Sequence, residues 1–218
     1  MHALEPGLRD ALRPLALELG EAQIGQLLDY VDMLQKWNKV YNLTAVRDPQ
    51  EMLTHHLLDS LAAVQPLRRQ LATRAVDADP ARLLDVGSGG GLPGVVLAIC
   101  CPQLQVDCVD TVAKKAAFIQ QAAVMLRLSN LRGLHARVES LTGPYEVISS
   151  RAFASLVDFT NWSGSALATG GVWLAMKGKR PTDEMAALTP NIEVFHVEQL
   201  VVPGLDAERC IVWMRRLT

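Results

Sequence analysis

The chain has 218 residues, half of them hydrophobic and a fifth charged, with a formal net charge of −2. That length suits one main domain with a modest extension, and the composition is that of an ordinary globular protein. The balance excludes a polycation, so any nucleic-acid contact has to use local patches. No apolar run is long enough to cross a bilayer, and Met1 to Gly7 lack the basic-then-apolar layout of a secretory signal. Cys100, Cys101, Cys108 and Cys210 form no C-x-x-C pair and lie in apolar contexts. They read as buried thiols of a reducing cytoplasm. The adjacent His55 and His56 fall on different sides of a helix and cannot share one metal, so no metal site is expected.

Residues 1–78 read as a helical extension and 79–218 as the main domain. Ile24, Leu27, Leu28, Val31 and Leu34 recur on one face at the helical period. Lys36 to Thr44 reads as a polar and aromatic connector. Asp48-Pro49-Gln50-Glu51 is a helix start, with an N-cap acid, proline at the first helical position and glutamate where a capping box wants it. Met52, Leu53, His56, Leu57 and Leu61 follow on its face. Gln70 to Pro80, charged and alanine-rich, reads as a hinge.

From Arg82 the pattern alternates. Strands are expected at 82–86, 105–110, 131–136, 145–149 and 171–176, with helices between the first four and another at about 155–168. Ile192 to Val202 and Glu208 to Arg215 flank a Pro203-Gly204 turn and should pair antiparallel. The expected architecture is α/β. It is a doubly wound, mostly parallel seven-stranded sheet with an antiparallel terminal hairpin, the arrangement of S-adenosylmethionine (AdoMet) methyltransferases.

The densest signal is Leu83 to Gly94, where an apolar strand runs into Gly87-Ser88-Gly89-Gly90-Gly91 and a helix opens near Leu92 and Pro93. Glycines there allow positive φ and close approach of a ligand to the main chain. Leu92 stands where the dinucleotide fingerprint wants its third glycine. Asp85 beside the turn suits the sulfonium and ammonium of AdoMet and would repel a pyrophosphate. Asp110 ends the next strand, where a carboxylate accepts from both ribose hydroxyls. NAD enzymes use the same second acid, so Asp110 does not discriminate between the two cofactors. Val138 and Glu139, after the third strand, lie where an adenine edge would meet them, a position a surface salt bridge would also explain.

Ser149-Ser150-Arg151-Ala152-Phe153 follows the fourth strand, in place of the Asn/Asp-Pro-Pro-aromatic turn that holds an exocyclic amine. No cysteine is placed to attack a pyrimidine ring. A ring nitrogen with a free lone pair needs neither device, and Arg151 offers paired donors to guanine O6 or a phosphate. Among the basic clusters, Lys177, Lys179 and Arg180 stand apart because they follow the fifth strand at the site rim, where they favour a nucleic-acid acceptor. A small-molecule N- or O-methyltransferase of the same fold is the alternative.

Leu83–Gly94, Asp110–Lys115, Arg137–Glu139 and Ile148–Ala154 together resemble the RsmG family, also called glucose-inhibited division protein B. Trp37-Asn38, Tyr41–Thr44 and His56–Ser60 look like that family's amino-terminal signature, so the likeness covers nearly the whole chain. It implies AdoMet-dependent methylation of guanine N7 in the decoding region of bacterial 16S rRNA; the partner expected is that rRNA or the small-subunit particle, and the chain is expected to be a monomer. The resemblance also implies that Gly87, Leu92, Val138, Glu139 and Arg151 line the AdoMet pocket, beside Asp85, Gly89 and Asp110 read from the loop. It leaves open whether Arg151 serves the cofactor carboxylate or the target base.

Overall fold

The computed structural model describes residues 2–74 and 79–217. Its first part is helical: α1 (Glu5–Leu12), α2 (Glu21–Tyr41), α3 (Pro49–Met52), a π-helical stretch (Leu53–Leu58), α4 (Asp59–Leu61) and α5 (Val64–Leu71). Asp48 caps α3 as expected, its carboxylate accepting from the amides of Gln50 at 2.9 Å and Glu51 at 3.0 Å. The expected connector at 36–44 is shorter than its polarity suggested, because α2 continues to Tyr41 and ends on Asn42 in the left-handed region. Packing overrides polarity there. Trp37 lies against Phe118 with ring centroids 5.3 Å apart. The hinge expected at 70–80 lies partly outside the described residues.

The second part follows as β1 (Arg82–Val86), α6 (Gly94–Cys100), β2 (Gln105–Asp110), α7 (Ala113–Met125), β3 (Leu131–His135), β4 (Tyr145–Arg151), α8 (Leu156–Ser163), β5 (Leu167–Lys177), α9 (Thr182–Ala186), β6 (Ile192–Leu200) and β7 (Arg209–Arg216). They build one seven-stranded sheet in the order β3-β2-β1-β4-β5-β7-β6. The first five strands are parallel and β7 runs antiparallel to both its neighbours, as the short turn required. One expected element is missing. Between β3 and β4 the chain makes a single 3₁₀ turn, Val138–Ser140, where a helix was expected. The few residues from there to Gly143 and Pro144 leave no room for more turns.

Val95 to Ile99 of α6 are apolar throughout and, like the rest of that helix, wholly buried. A helix buried on every side needs cover on the face turned from the sheet, and the amino-terminal helices supply it. Leu27, Leu34, Leu57 and Leu67 share one core cluster with Val95, Ile99 and Phe118. Polar ties cross the same boundary. Gln23 Nε2 donates to the Ile99 carbonyl, Gln26 Nε2 to that of Leu126, and Arg68 to that of Cys100. The extension is therefore packed over α6 and α7 on one face of the sheet, and Tyr30 of α2 reaches from it to Gly90 of the glycine turn. All four cysteines are buried free thiols.

Candidate active site at the carboxyl ends of the strands

The switch point of the strand order lies between β1 and β4, and ligands of open α/β sheets bind outside the strand ends there. The glycine turn leaves β1 at that point. Gly87, Gly89 and Gly91 have φ of 65°, 57° and 88°, a region that costs an L side chain dearly. At Gly87 the space is closed as well, since a Cβ would stand 2.5 Å from the Phe153 ring.

Three side chains hold the turn. Asp110 accepts from the amides of Gly89 at 3.0 Å and Val112 at 2.8 Å, joining the turn to the end of β2. Tyr30 of α2 donates its hydroxyl to the Gly90 carbonyl at 2.6 Å, from a fully buried position. Asp85 works from behind. One of its oxygens accepts from the Gly94 amide at 3.1 Å and the other from the Ser149 hydroxyl at 2.8 Å. Burial pushes its carboxyl up to about 7, against the pull of those two hydrogen bonds. It was expected to face a cofactor cation, yet it is fully buried and lines neither cleft described below. The physical reason is the β1 pleat, which turns Asp85 toward α6.

Two clefts flank the turn and share Gly87 as a common wall. The first, of about 490 Å³, is lined by Asp110, Val112, Val138, Glu139, Phe153 and Trp162 among others. Trp162 is 40% exposed, and Phe153 packs edge-on against it at 5.7 Å. The carboxylates of Asp110 and Glu139 beside the apolar and aromatic surface of Val112, Val138, Phe153 and Trp162 suit a nucleoside with free ribose hydroxyls. The second cleft, of about 510 Å³, lies between the two parts of the chain and is lined by Thr44, His56, Asp59, Leu92, Arg151 and Arg209 together with Gly89 and Lys177.

At the second cleft Asp59 is almost fully buried between two arginines. Arg151 Nη1 and Arg209 Nε each stand 2.9 Å from it, one on each oxygen. Arg151 Nη1 also donates to the His55 carbonyl at 2.9 Å, a group presented by the π-helical stretch. Such widened turns recur at functional sites. His56 is buried beside them, and burial together with the Arg151 charge pushes it down to about 4, so it is neutral.

The expected site residues thus divide. Gly87, Asp110, Val138 and Glu139 gather at the first cleft, and Gly89, Leu92 and Arg151 at the second, again with Gly87. The expected basic rim splits. Lys177 is only 17% exposed and donates to Glu184 at 2.9 Å, so its charge is largely spent within the protein. Lys179 and Arg180 are exposed and line neither cleft. Glu184 comes from α9, a short helix the sequence did not mark.

Thr44, His56, Asp59 and Arg209 were given no site role by the sequence, although the first three fall within the amino-terminal signature segments. For the first three a signal existed, the polar residues within otherwise apolar helical spacing at 56–60 and the Tyr41–Thr44 run. Arg209 had none, because only the pairing of β7 with β5 carries it to Asp59, 150 positions away.

A family model described as GidB, rRNA small subunit methyltransferase G, matches residues 23–212. Among curated relatives, the ribosomal RNA small subunit methyltransferase G of Acidovorax sp. (strain JS42) is 71% identical, over 98% of this chain and 96% of its own. That of Methylibium petroleiphilum is 59% identical, over 98% and 95%. Of solved structures, TrmN from Thermus thermophilus matches with a TM-score of 0.56 at 20% identity, over 76% of this chain and 53% of that one. The ribosomal protein L11 methylase from Lactobacillus delbrueckii subsp. bulgaricus matches at 0.55 and 14%, over 73% and 79%. At such identities the structural matches speak for the fold, and the sequence relatives decide the rest: the chain belongs to the GidB family, the rRNA small subunit methyltransferase G proteins.

Proposed function

We propose that the protein transfers a methyl group from AdoMet to N7 of a guanine in the RNA of the small ribosomal subunit. The observation that carries this reading is the pair of clefts meeting at Gly87, one suited to a nucleoside and the other lined by arginines. Asp110, Val138, Glu139 and Trp162 would hold the adenosine end, while Gly87 and Gly89 give close access to the main chain. AdoMet, when bound, supplies an electrophilic methyl whose C–S bond breaks toward sulfur as the N–C bond forms.

The acceptor cleft fits a nucleophile that carries no proton. Its buried carboxylate, Asp59, is occupied by two arginines, and the buried His56 is held neutral against Arg151 and Thr44. Neither is free to act as a general base. Guanine N7 attacks with a lone pair, so approach geometry carries the catalysis. The target is 16S rRNA within a cytoplasmic small subunit or its precursor, and the chain acts as a monomer with its amino-terminal helical part supplying Thr44, His56 and Asp59 to one wall of the acceptor cleft. A small-molecule acceptor would have no use for the exposed Lys179 and Arg180, which follow in sequence on Lys177 and Gly178 of the second cleft.

The test is labelled methyl transfer from AdoMet into small-subunit RNA, free and in particles, from cells lacking this protein. N7-methylguanosine, recognised by alkaline ring opening, is the expected product. Label on an exocyclic amine or a ribose, or no transfer to RNA, would overturn the reading.

A further inference from the structure

Thr44 presents a hydroxyl whose acceptor positions are both taken. A hydroxyl has one proton and two lone pairs. The Val46 amide donates to Thr44 Oγ1 at 3.2 Å, and His56 Nε2 stands 2.6 Å from the same oxygen. The direction of that second bond follows from the other side of the ring. His56 Nδ1 faces Arg151 Nη2 at 3.4 Å, and a guanidinium only donates. Nδ1 therefore accepts, Nε2 carries the proton, and Thr44 accepts from it. Arg151 is itself fixed by Asp59 and the His55 carbonyl. The Thr44 proton is left with no acceptor among the described residues, and Thr44 lines the second cleft.

Its neighbours have the same polarity. Asp59 accepts from both arginines and is nearly inaccessible, while Arg151, Arg209 and Lys177 can only donate. Apart from the exposed His55, the buried Ser88, whose hydroxyl turns to the Val109 carbonyl, and Lys177, taken up by Glu184 and the Ala154 carbonyl, the polar side chains of this cleft offer a ligand donors. Guanine shows two acceptors on its N7 side, N7 and O6, whereas adenine carries an amino donor in place of O6. Methylation consumes the N7 lone pair and leaves O6 to take a hydrogen bond.

We propose that Thr44 determines base specificity, its hydroxyl aimed by the Arg151–His56 pair to donate to O6 of the target guanine and to reject adenine. The proposal rests on the guanine-N7 reading above. The methylated guanine is first mapped with the wild-type protein, and the same RNA is then assembled with 2-aminopurine at that position, which keeps N7 and lacks O6. Wild type should lose about 10- to 100-fold in kcat/KM on the altered RNA. Thr44→Val should lose a similar factor on the normal RNA and nothing further on the altered one. Thr44→Ser should restore the wild-type preference, and KM for AdoMet should stay unchanged throughout. A wild-type enzyme indifferent to 2-aminopurine, a Thr44→Val variant that still discriminates, or an effect confined to KM for AdoMet would each overturn the assignment. A wild-type product other than N7-methylguanosine would instead overturn the guanine-N7 reading, and this proposal with it.

Discussion

Replacing Asp85 by Asn should stabilise the protein, and by more as the pH rises. Burial raises this carboxyl from 3.8 to about 7. Each tenfold change in proton affinity is worth about 1.4 kcal/mol, so ionising Asp85 in the folded state costs about 4 kcal/mol in all. The sign follows from where the proton is held. Between the two values the folded state keeps a proton that the unfolded state has lost, so stability is greatest below the unfolded value and falls as pH rises to about 7. His56 acts in the opposite sense. Its value falls from 6.5 to about 4, so it removes stability as pH drops through that interval. The two partly cancel in the wild-type profile, and the difference between wild type and Asp85→Asn isolates Asp85. Asparagine keeps the shape, its oxygen still accepts from Gly94, and the Ser149 hydroxyl turns to accept from the new amide. Urea unfolding of both proteins at about pH 5 and about pH 8 should show the advantage of the variant growing by about 2–3 kcal/mol. An advantage independent of pH would refute the assignment of a raised carboxyl to Asp85.

Gly87→Ala should abolish measurable AdoMet binding by calorimetry, since a Cβ there would meet Phe153 at 2.5 Å in a left-handed backbone. Its thermal midpoint should fall as well, by the equivalent of about 1–2 kcal/mol for the backbone alone. Tyr30→Phe leaves the buried Gly90 carbonyl without its donor and should cost about 1–3 kcal/mol in chemical denaturation; unchanged stability would mean the bond contributes nothing net. For RNA affinity, replacing Lys179 and Arg180 with Ala should flatten the dependence of log affinity on log salt by about 0.7–0.9 per lost phosphate contact. Lys177→Ala should leave that slope alone, because Glu184 already neutralises it, and a flattened slope for Lys177→Ala would return that residue to the RNA surface.

The local signals of this chain were strong where chemistry and backbone geometry coincide. Positive φ at Gly87, Gly89 and Gly91 is a property only glycine offers cheaply, so the turn was legible from composition alone. Asp110 was legible for a similar reason, as an acid closing an apolar strand. The alternating strands and the final hairpin followed from period and turn chemistry, and so did the polarity of the sheet's last strand.

Tertiary structure decided everything that depends on which face a residue turns to and what comes to meet it. Asp85 reads as a ligand for a cation, yet the β1 pleat turns it into the α6 side of the sheet, where the Gly94 amide and Ser149 occupy it. Lys177 reads as a rim charge, but a five-residue helix with little hydrophobic pattern carries Glu184 to it. The second cleft was least visible of all. Its polar wall joins Thr44, His56 and Asp59 from the helical part to Arg151 on β4 and Arg209 on β7, and no local pattern encodes a meeting such as that of Asp59 and Arg209, 150 positions apart. That meeting depends on the amino-terminal helices covering the apolar face of α6, and hydrophobic burial, being non-directional, marks no partner in the sequence.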